Sequence, residues 1–539
     1  MKKLLLLLFI FSGVISLYAG DIRLSFSALR PVNKFTQIMS AHRIGDRIYV
    51  VQSNHRTNKV MSLVIYDAGN LTLISEKTFK NTSCKEGDCI DEHFGYERTL
   101  FFKNSLILFF SSYETNKDEL MLFAQRVDLD GNFVGKLVKV DHIKAKKKSN
   151  AGSFILFPNR DSTSFAIISN PPYEKYGGEK FGFKLYDTEL TNTYNIALAL
   201  PHKDRDVSLF DQILGNDGKI YILTKIDLEK KDRERGSAPY YYSVFTMNPD
   251  DKSILENKID LAKRNIEDCA IRLNYDRNEL VCAGFYSDLK PTAYTGGDID
   301  GFFYQTVDVN TWKTLVTGVK KIDKKMVSEL MNKKKVKEGR GISANFEILR
   351  IIPALDGSST MIAENRFWYV TTTTTSSAGG GTSTSYTYHY HRNSIFIINI
   401  GKDGEVTSLM DIPKLQHTIN DNGMFSSVLI MEKDDRIVLL YNDHPDNLIS
   451  AVKTLKQTSV MGNVRKAVLV AVEIFKDGTY TKRKLSDNIT TKIVLMPESG
   501  FRISGTEYCL PSMLIPAGCS CACIEIFKKK KFGLAKADF

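Results

Sequence analysis

The chain has 539 residues, 43% hydrophobic and 25% charged, a composition that excludes global disorder and supplies a large buried core. Its formal charge of +11 is concentrated in lysine clusters at 144–148, 333–335 and 528–531. In an exported protein these read as solvated loops with some envelope contact, so no nucleic-acid partner is expected.

The N-terminus carries the export signal. Lys2 and Lys3 precede an apolar run over 4–17, and Ala19 and Gly20 stand before the charged Asp21. This order predicts a cleavable signal peptide over 1–20, with the mature chain starting at Gly20 or Asp21. No later stretch reaches the ~20 consecutive apolar residues of a membrane-spanning helix. The expectation is a mature chain of 21–539 in one domain, with no integral membrane segment after cleavage, in the periplasm or at the cell surface.

Beyond the leader the dominant signal is repetition: strand, turn, strand, loop, strand, turn, strand. One unit has apolar strands at 99–102, 106–110 and 120–129, the turn Asp130-Gly131-Asn132, and a strand at 134–140. Another has 209–214, the turn Asn216-Asp217-Gly218, 220–223, then 240–247 and Asn248-Pro249-Asp250. The clearest runs 346–352, Leu355-Asp356-Gly357, 360–370, then 394–400, a turn at 401–404, and 406–412. Asp-Gly between alternating apolar runs marks hairpins, because the reverse turn needs a positive φ that glycine tolerates. Eight units begin near residues 36, 95, 152, 207, 266, 345, 423 and 490. A four-stranded unit cannot bury both faces alone, and radial stacking solves this. The predicted fold class is therefore all-β, a β-propeller of seven or eight four-stranded blades. Two or three β-sandwiches are the alternative, but they do not favour the repeated four-strand order.

Two insertions interrupt the repeat. Residues 320–338 predict an amphipathic helix, with Ile322, Met326 and Leu330 on one face and Gly339 as a stop. Residues 371–390 predict a long protruding β-hairpin with a glycine tip at 379–381, between two aromatic arms.

Cys269 and Cys282 flank a turn at Tyr275-Asp276, and a register with Cys269 opposite Cys282 predicts a disulfide. Cys84 and Cys89 bracket a short polar loop and form a second expected disulfide in an oxidising compartment. Cys509, Cys519, Cys521 and Cys523 form a terminal cluster whose alternate spacing favours disulfide or buried thiol over zinc. His389 and His391 alternate along one hairpin arm, so both face one side. Exposed or aromatic-packed roles are favoured over metal binding, and no metal or cofactor is expected. Asp128/Asp130 and Asp298/Asp300 read as turn residues rather than calcium loops.

No nucleophile elbow, phosphate-binding glycine loop or zinc-protease helix is present in the sequence. Two polar clusters stand out, 420–423 and 442–447, expected at opposite ends of two adjacent strands. The candidate binding residues are Trp368, Tyr386, Tyr388, His389, Tyr390 and His391 on the hairpin, with Asp421, Asp443 and His444 from the clusters.

The stretch from Gly341 to Asn447 resembles a group of uncharacterised exported bacterial propeller-like proteins. The resemblance rests on Asn345-Phe346-Glu347-Ile348, Asp356-Gly357, Ala363-Glu364, Ser385-Tyr386-Thr387-Tyr388-His389-Tyr390 and Ile412-Pro413-Lys414-Leu415-Gln416. It extends through Asn420-Asp421-Asn422-Gly423-Met424-Phe425-Ser426-Ser427 to Tyr441-Asn442-Asp443, and Gly301-Phe302-Phe303-Tyr304 also fits. It implies export and repeated β-sheet, and no activity. The functional expectation is a monomeric, non-catalytic binding or scaffold propeller whose partner is an envelope protein or glycan. The alternative is an envelope hydrolase or lyase acting on glycans with acidic residues in the central funnel.

Overall fold

Strand alternation in this chain buries both faces of each sheet. Ile48 and Val50 point to one neighbouring sheet while Tyr49 and Val51 point to the other. The computed structural model describes residues 16–19, 22–33, 36–54, 57, 59–79, 94–249, 251, 253–262, 264–289, 294, 296, 298–323, 342–343, 345–376, 380–433, 436–449, 454–514 and 531–538. Seven antiparallel sheets follow in chain order, each with four strands in meander, and an eighth is assembled from both chain ends. The first seven begin at Thr36, Gly95, Ser153, Val207, Arg264, Phe346 and Leu429, within a few residues of the positions expected from the repeats.

Each consecutive pair of sheets shares a core. Tyr49 of the first blade packs with Phe110 of the second, and Phe109 with Phe165 of the third. Ile168 then joins Ile222, Leu223 joins Ile271, and Phe285 joins Phe396. Ile397 joins Tyr441, Leu440 joins Leu510, and Cys509 and Phe532 of the eighth sheet return to Val50 and Val64 of the first. Eight shared cores in a closed cycle define an eight-bladed β-propeller. The first strands of blades one to six neighbour one another in turn around the axis, and Phe501–Arg502 of the eighth blade lies beside Thr36–Ile44 of the first. Five of them shift register at the same place: between Ile38 and Ser40, Tyr96 and Arg98, Leu209 and Asp211, Ile266 and Asp268, and Ile348 and Arg350. These β-bulges bend the inner strands without breaking the pairing.

The eighth blade differs from the expected unit. Its strands Ile493–Leu495, Glu507–Leu514 and Lys531–Asp538 are completed by Ile22–Phe26 from the N-terminus, which pairs Arg23 with Asp538 through Phe26 with Ala535. Leu24 is fully buried there, in one core with Leu440 and Leu510. Strand Ser16–Ala19 adds outside Ile22–Phe26 and lies within the expected leader.

The Asp-Gly turns form as read. Ala354 and Ser358 close the turn in blade six, where Gly357 sits at φ +90°. Cys269 and Cys282 correct the expected register. The hairpin loop is 275–278, closed by the pair Asn274–Glu279, which sets Cys269 opposite Gly284 and Cys282 opposite Ile271. The two sulfurs are diagonal neighbours, beyond normal disulfide geometry, and both are buried free thiols. Burial pushes Cys282 up to about 12. Cys509 is likewise a buried free thiol. Cys84, Cys89, Cys519, Cys521 and Cys523 lie outside the described residues. So does most of the expected helix over 320–338, whose first two residues instead end the strand Thr314–Lys321. No helix among the described residues is long and apolar enough to cross a membrane.

Candidate interaction site

The long hairpin grows from the sixth blade. Its second strand, Ser359–Ser376, and third strand, Thr382–Ile400, stay paired far beyond the blade, from Arg366–Arg392 to Ser376–Thr382. Directly opposed residues share a face, so the pairs Trp368–Tyr390, Val370–Tyr388 and Thr372–Tyr386 line one side. Trp368 is 62% exposed and Tyr386 60%, with Val370 and Tyr388 exposed between them. The other side carries Phe367–His391 and Tyr369–His389.

A short strand missed in the sequence, Gln416–Ile419, buttresses this second side by pairing with residues 389–392. It brings in His417. The rings stack in order: Phe367 on His391 at 4.5 Å, His391 on His417 at 4.3 Å, and Tyr369 on His389 at 4.5 Å. His389 Nδ1 lies 3.0 Å from His417 Nε2, and its Nε2 lies 3.0 Å from Thr371 Oγ1. The imidazoles therefore serve as flat packing surfaces bonded to one another. Among the described residues, no three His, Cys, Asp or Glu side chains are grouped to hold a metal. Burial, followed by the neighbouring His417 and His389, pushes His391 down to about 4, and burial also lowers His417.

The base of the hairpin is pinned by a buried ion pair. Glu364 faces the seventh blade, as Ile362 does, and Lys414 reaches its Oε1 at 2.6 Å with both side chains fully buried. Lys414 also donates to the carbonyl of Arg392 (2.8 Å) and to Gln416 Oε1 (2.9 Å). Ser427 donates to Glu364 Oε2 (2.7 Å), and Arg366 Nε stands 3.3 Å from the same oxygen. Gln416 Nε2 continues the network to the carbonyl of Asn442 (2.7 Å). Burial lowers Lys414 to about 8 despite the opposing pull of Glu364. At the edge of the network, the guanidinium groups of Arg366 and Arg392 turn toward Glu498 of the eighth blade.

The remaining predicted residues fall into different roles. Asp421 is buried, and its Oδ1 accepts from Thr418 Oγ1 (2.7 Å) and Gly423 N (2.9 Å), fixing the turn that carries Asn422 to the Tyr390 hydroxyl (3.0 Å). Asp443 is fully buried, paired with Lys482, and accepts from His444 N (2.8 Å) and Asn447 Nδ2 (2.7 Å). His444 is partly exposed beside Asp446. The two polar clusters lie at the same end of the blade, not at opposite ends. Strands Leu429–Lys433 and Arg436–Asp443 are antiparallel, so the start of one meets the end of the other, and Asn442 Nδ2 donates to the carbonyl of Phe425 (2.8 Å). Hairpin, 413–428 crossing and the loop residues 444–449 and 454–467 thus share one face of the ring.

Sequence reasoning missed Glu364, Lys414, Gln416 and His417 as members of the site. The signal was present: Glu364 interrupts the apolar run Met361-Ile362-Ala363, and Lys414 follows Pro413 directly after a strand. The carboxyls raised by burial elsewhere belong to separate blades. Glu179, pushed up to about 8 by burial and Asp204, lies in a shallow cavity of blade three, and Asp268, pushed up to about 6, is on the inner strand of blade five.

Two predictions follow from the ion pair and the stack. Glu364→Gln leaves a buried ammonium without its counter-charge and should destabilise the protein by about 3–5 kcal/mol in urea unfolding, with Glu364→Gln/Lys414→Met recovering much of the loss. His391, neutral in the fold and depressed below its unfolded value, contributes stability that is complete above pH ~6.5 and is lost as pH falls toward about 4. His391→Phe, which keeps the stack, should reduce that acid loss by on the order of 1 kcal/mol once solvent screening is allowed for, read from melting curves across this window.

No family model matches the chain, and no curated protein matches it. Several solved structures are similar over most of its length. The β-propeller domain of the Trilobed protease from Pyrococcus furiosus, described as having an open velcro topology, is 12% identical, covering 84% of this chain and 98% of that one at a TM-score of 0.35. The WD40 domain of SCAP from fission yeast is 10% identical, covering 95% and 94% at 0.40. Pyrococcus horikoshii acylaminoacyl peptidase is 12% identical, covering 89% of this chain and 58% of that one at 0.34.

Proposed function

We propose that this chain is an exported, non-catalytic binding or scaffold β-propeller of the periplasm or cell surface, and that the hairpin docks an envelope protein or glycan. The observation that carries this is the aromatic side of the hairpin: Trp368, Val370, Tyr386 and Tyr388 stand exposed in one continuous stripe. Aromatic side chains left in water on a rigid, well-pinned support are the composition of an interface core rather than of ordinary surface. The buried pair Glu364–Lys414 and the strand Gln416–Ile419 hold the stripe in place before any partner arrives, which lowers the ordering cost of binding. Export is supported by the leader's charge and apolar order, and cleavage before Ile22 leaves the closing strand Ile22–Phe26 in the ring.

The test replaces the stripe without touching the support. Trp368→Ala/Tyr386→Ala/Tyr388→Ala should keep stability within about 1 kcal/mol, because these side chains face water. Capture of envelope material by the immobilised protein should fall by about tenfold or more. Competition with soluble glycan separates the two partner classes. Unchanged capture by the triple variant would remove the hairpin from the proposal.

A further inference from the structure

The blades manage their outer edges in the usual way. Glu76 and Lys77, Lys136 and Lys139, Pro201, Glu256 and Lys258, Lys320 and Lys321, Asp411, and Lys482 with Arg483 and Lys484 stand on the outer strands of the first seven blades. A charge or a proline on an edge strand blocks pairing with another chain. The first hairpin arm lacks every such device. Its neighbour on the blade, Phe346–Pro353, starts at the pair Phe346–Asn365, and no described strand flanks the arm from Phe367 onward. From Phe367 to Ser376 the arm contains no charged residue and no proline, and its pairing with the second arm is in register throughout. The second arm is partly covered instead, by Gln416–Ile419 and by Asn420, which bonds both backbone groups of Tyr388.

The sequence of this open edge also matches itself. Thr371 to Thr375 are identical residues, so two copies running antiparallel place threonine opposite threonine, a favourable cross-strand pair, in the centred register and in neighbouring ones. Two copies of a blade edge, by contrast, would bring Lys482-Arg483-Lys484 toward the same cations. We propose that the protein forms a two-fold dimer by antiparallel addition of residues 370–376 to the same residues of a second copy, centred on Thr373. The centred register pairs Val370 with Ser376, Thr371 with Thr375 and Thr372 with Thr374. It makes one four-stranded sheet of the two hairpins and leaves both aromatic stripes on the same side of it. The seam is short beside the ~1,200–2,000 Å² of a stable interface, so the association is concentration-dependent.

Sedimentation velocity on the full chain without its leader should show a monomer at low micromolar concentration and a reversible dimer at high micromolar concentration. Thr373→Lys sets two ammonium groups face to face on the two-fold and should abolish the dimer with an unchanged melting temperature. Thr373→Cys should form a self-disulfide under mild oxidation, faster than Thr193→Cys on the outer strand of blade three. A monomer at every concentration, or a dimer that survives Thr373→Lys and gives no preferential Thr373→Cys cross-link, overturns the proposal. Thr373→Lys leaves Trp368, Tyr386 and Tyr388 in place, so loss of the dimer with retained envelope capture separates this inference from the docking proposal.

Discussion

A four-stranded sheet has two bare edges, and the architecture of this protein is governed by what becomes of them. The inner edges are gathered around the axis, where the first strands of blades one to six neighbour one another and the ion pair Arg350–Glu432 (2.5 Å) ties blade six to blade seven. The last gap closes when Ile22–Phe26 joins Lys531–Asp538, so the ring is completed by residues more than five hundred positions apart. Each blade then buries both faces against its neighbours, and no blade is stable without the one beside it. The outer edges stay in water and are protected by charge or proline. The hairpin on the sixth blade is the element that leaves this protection.

Extending two strands into solvent requires that they be held. The support is polar. Glu364 and Lys414 are both removed from water, and the arrangement is tolerable because the remaining groups of each find partners in Ser427, Arg366, Gln416 and the carbonyl of Arg392. An apolar plug would fill the same space without fixing direction. The hydrogen bonds of this network join the second strand of blade six, the crossing to blade seven and the backbone of blade seven at Asn442, which sets the angle at which the hairpin departs. Above it, the imidazoles of His389, His391 and His417 continue the stack between Phe367 and Tyr369, so one side of the hairpin carries the ring stack and the other the exposed stripe of Trp368, Val370, Tyr386 and Tyr388.

Much of the ring was legible because each blade repeats local rules: alternating apolar strands, Asp-Gly turns, and starts that recur near the observed ones at Thr36, Gly95 and Phe346. The hairpin was legible too, since β-prone aromatic arms around glycines admit few other structures. What escaped was non-local. Sequence counting assigned the eighth blade to the C-terminus, whereas its fourth strand is Ile22–Phe26, adjacent to the expected leader and indistinguishable there from a loop entry. Cys269 and Cys282 were paired by assuming a tighter turn, and the four-residue loop 275–278 moves the register by two. The inner-strand bulges carry no sequence mark at all. Asp421 and Asp443 were read as binding residues because exposed turns are rich in such side chains, yet both are buried, Asp421 fixing a turn and Asp443 paired with Lys482 and bonded to Asn447.

The central claim is that this propeller meets its partners through the hairpin on blade six. The direct measurement is in-cell photo-cross-linking, with a benzophenone side chain placed in turn at Tyr386 on the hairpin and at Leu255, an exposed position on the outer strand of blade four. The account predicts discrete cross-linked products at Tyr386 and none at Leu255. Products at Leu255 with none at Tyr386 would contradict it.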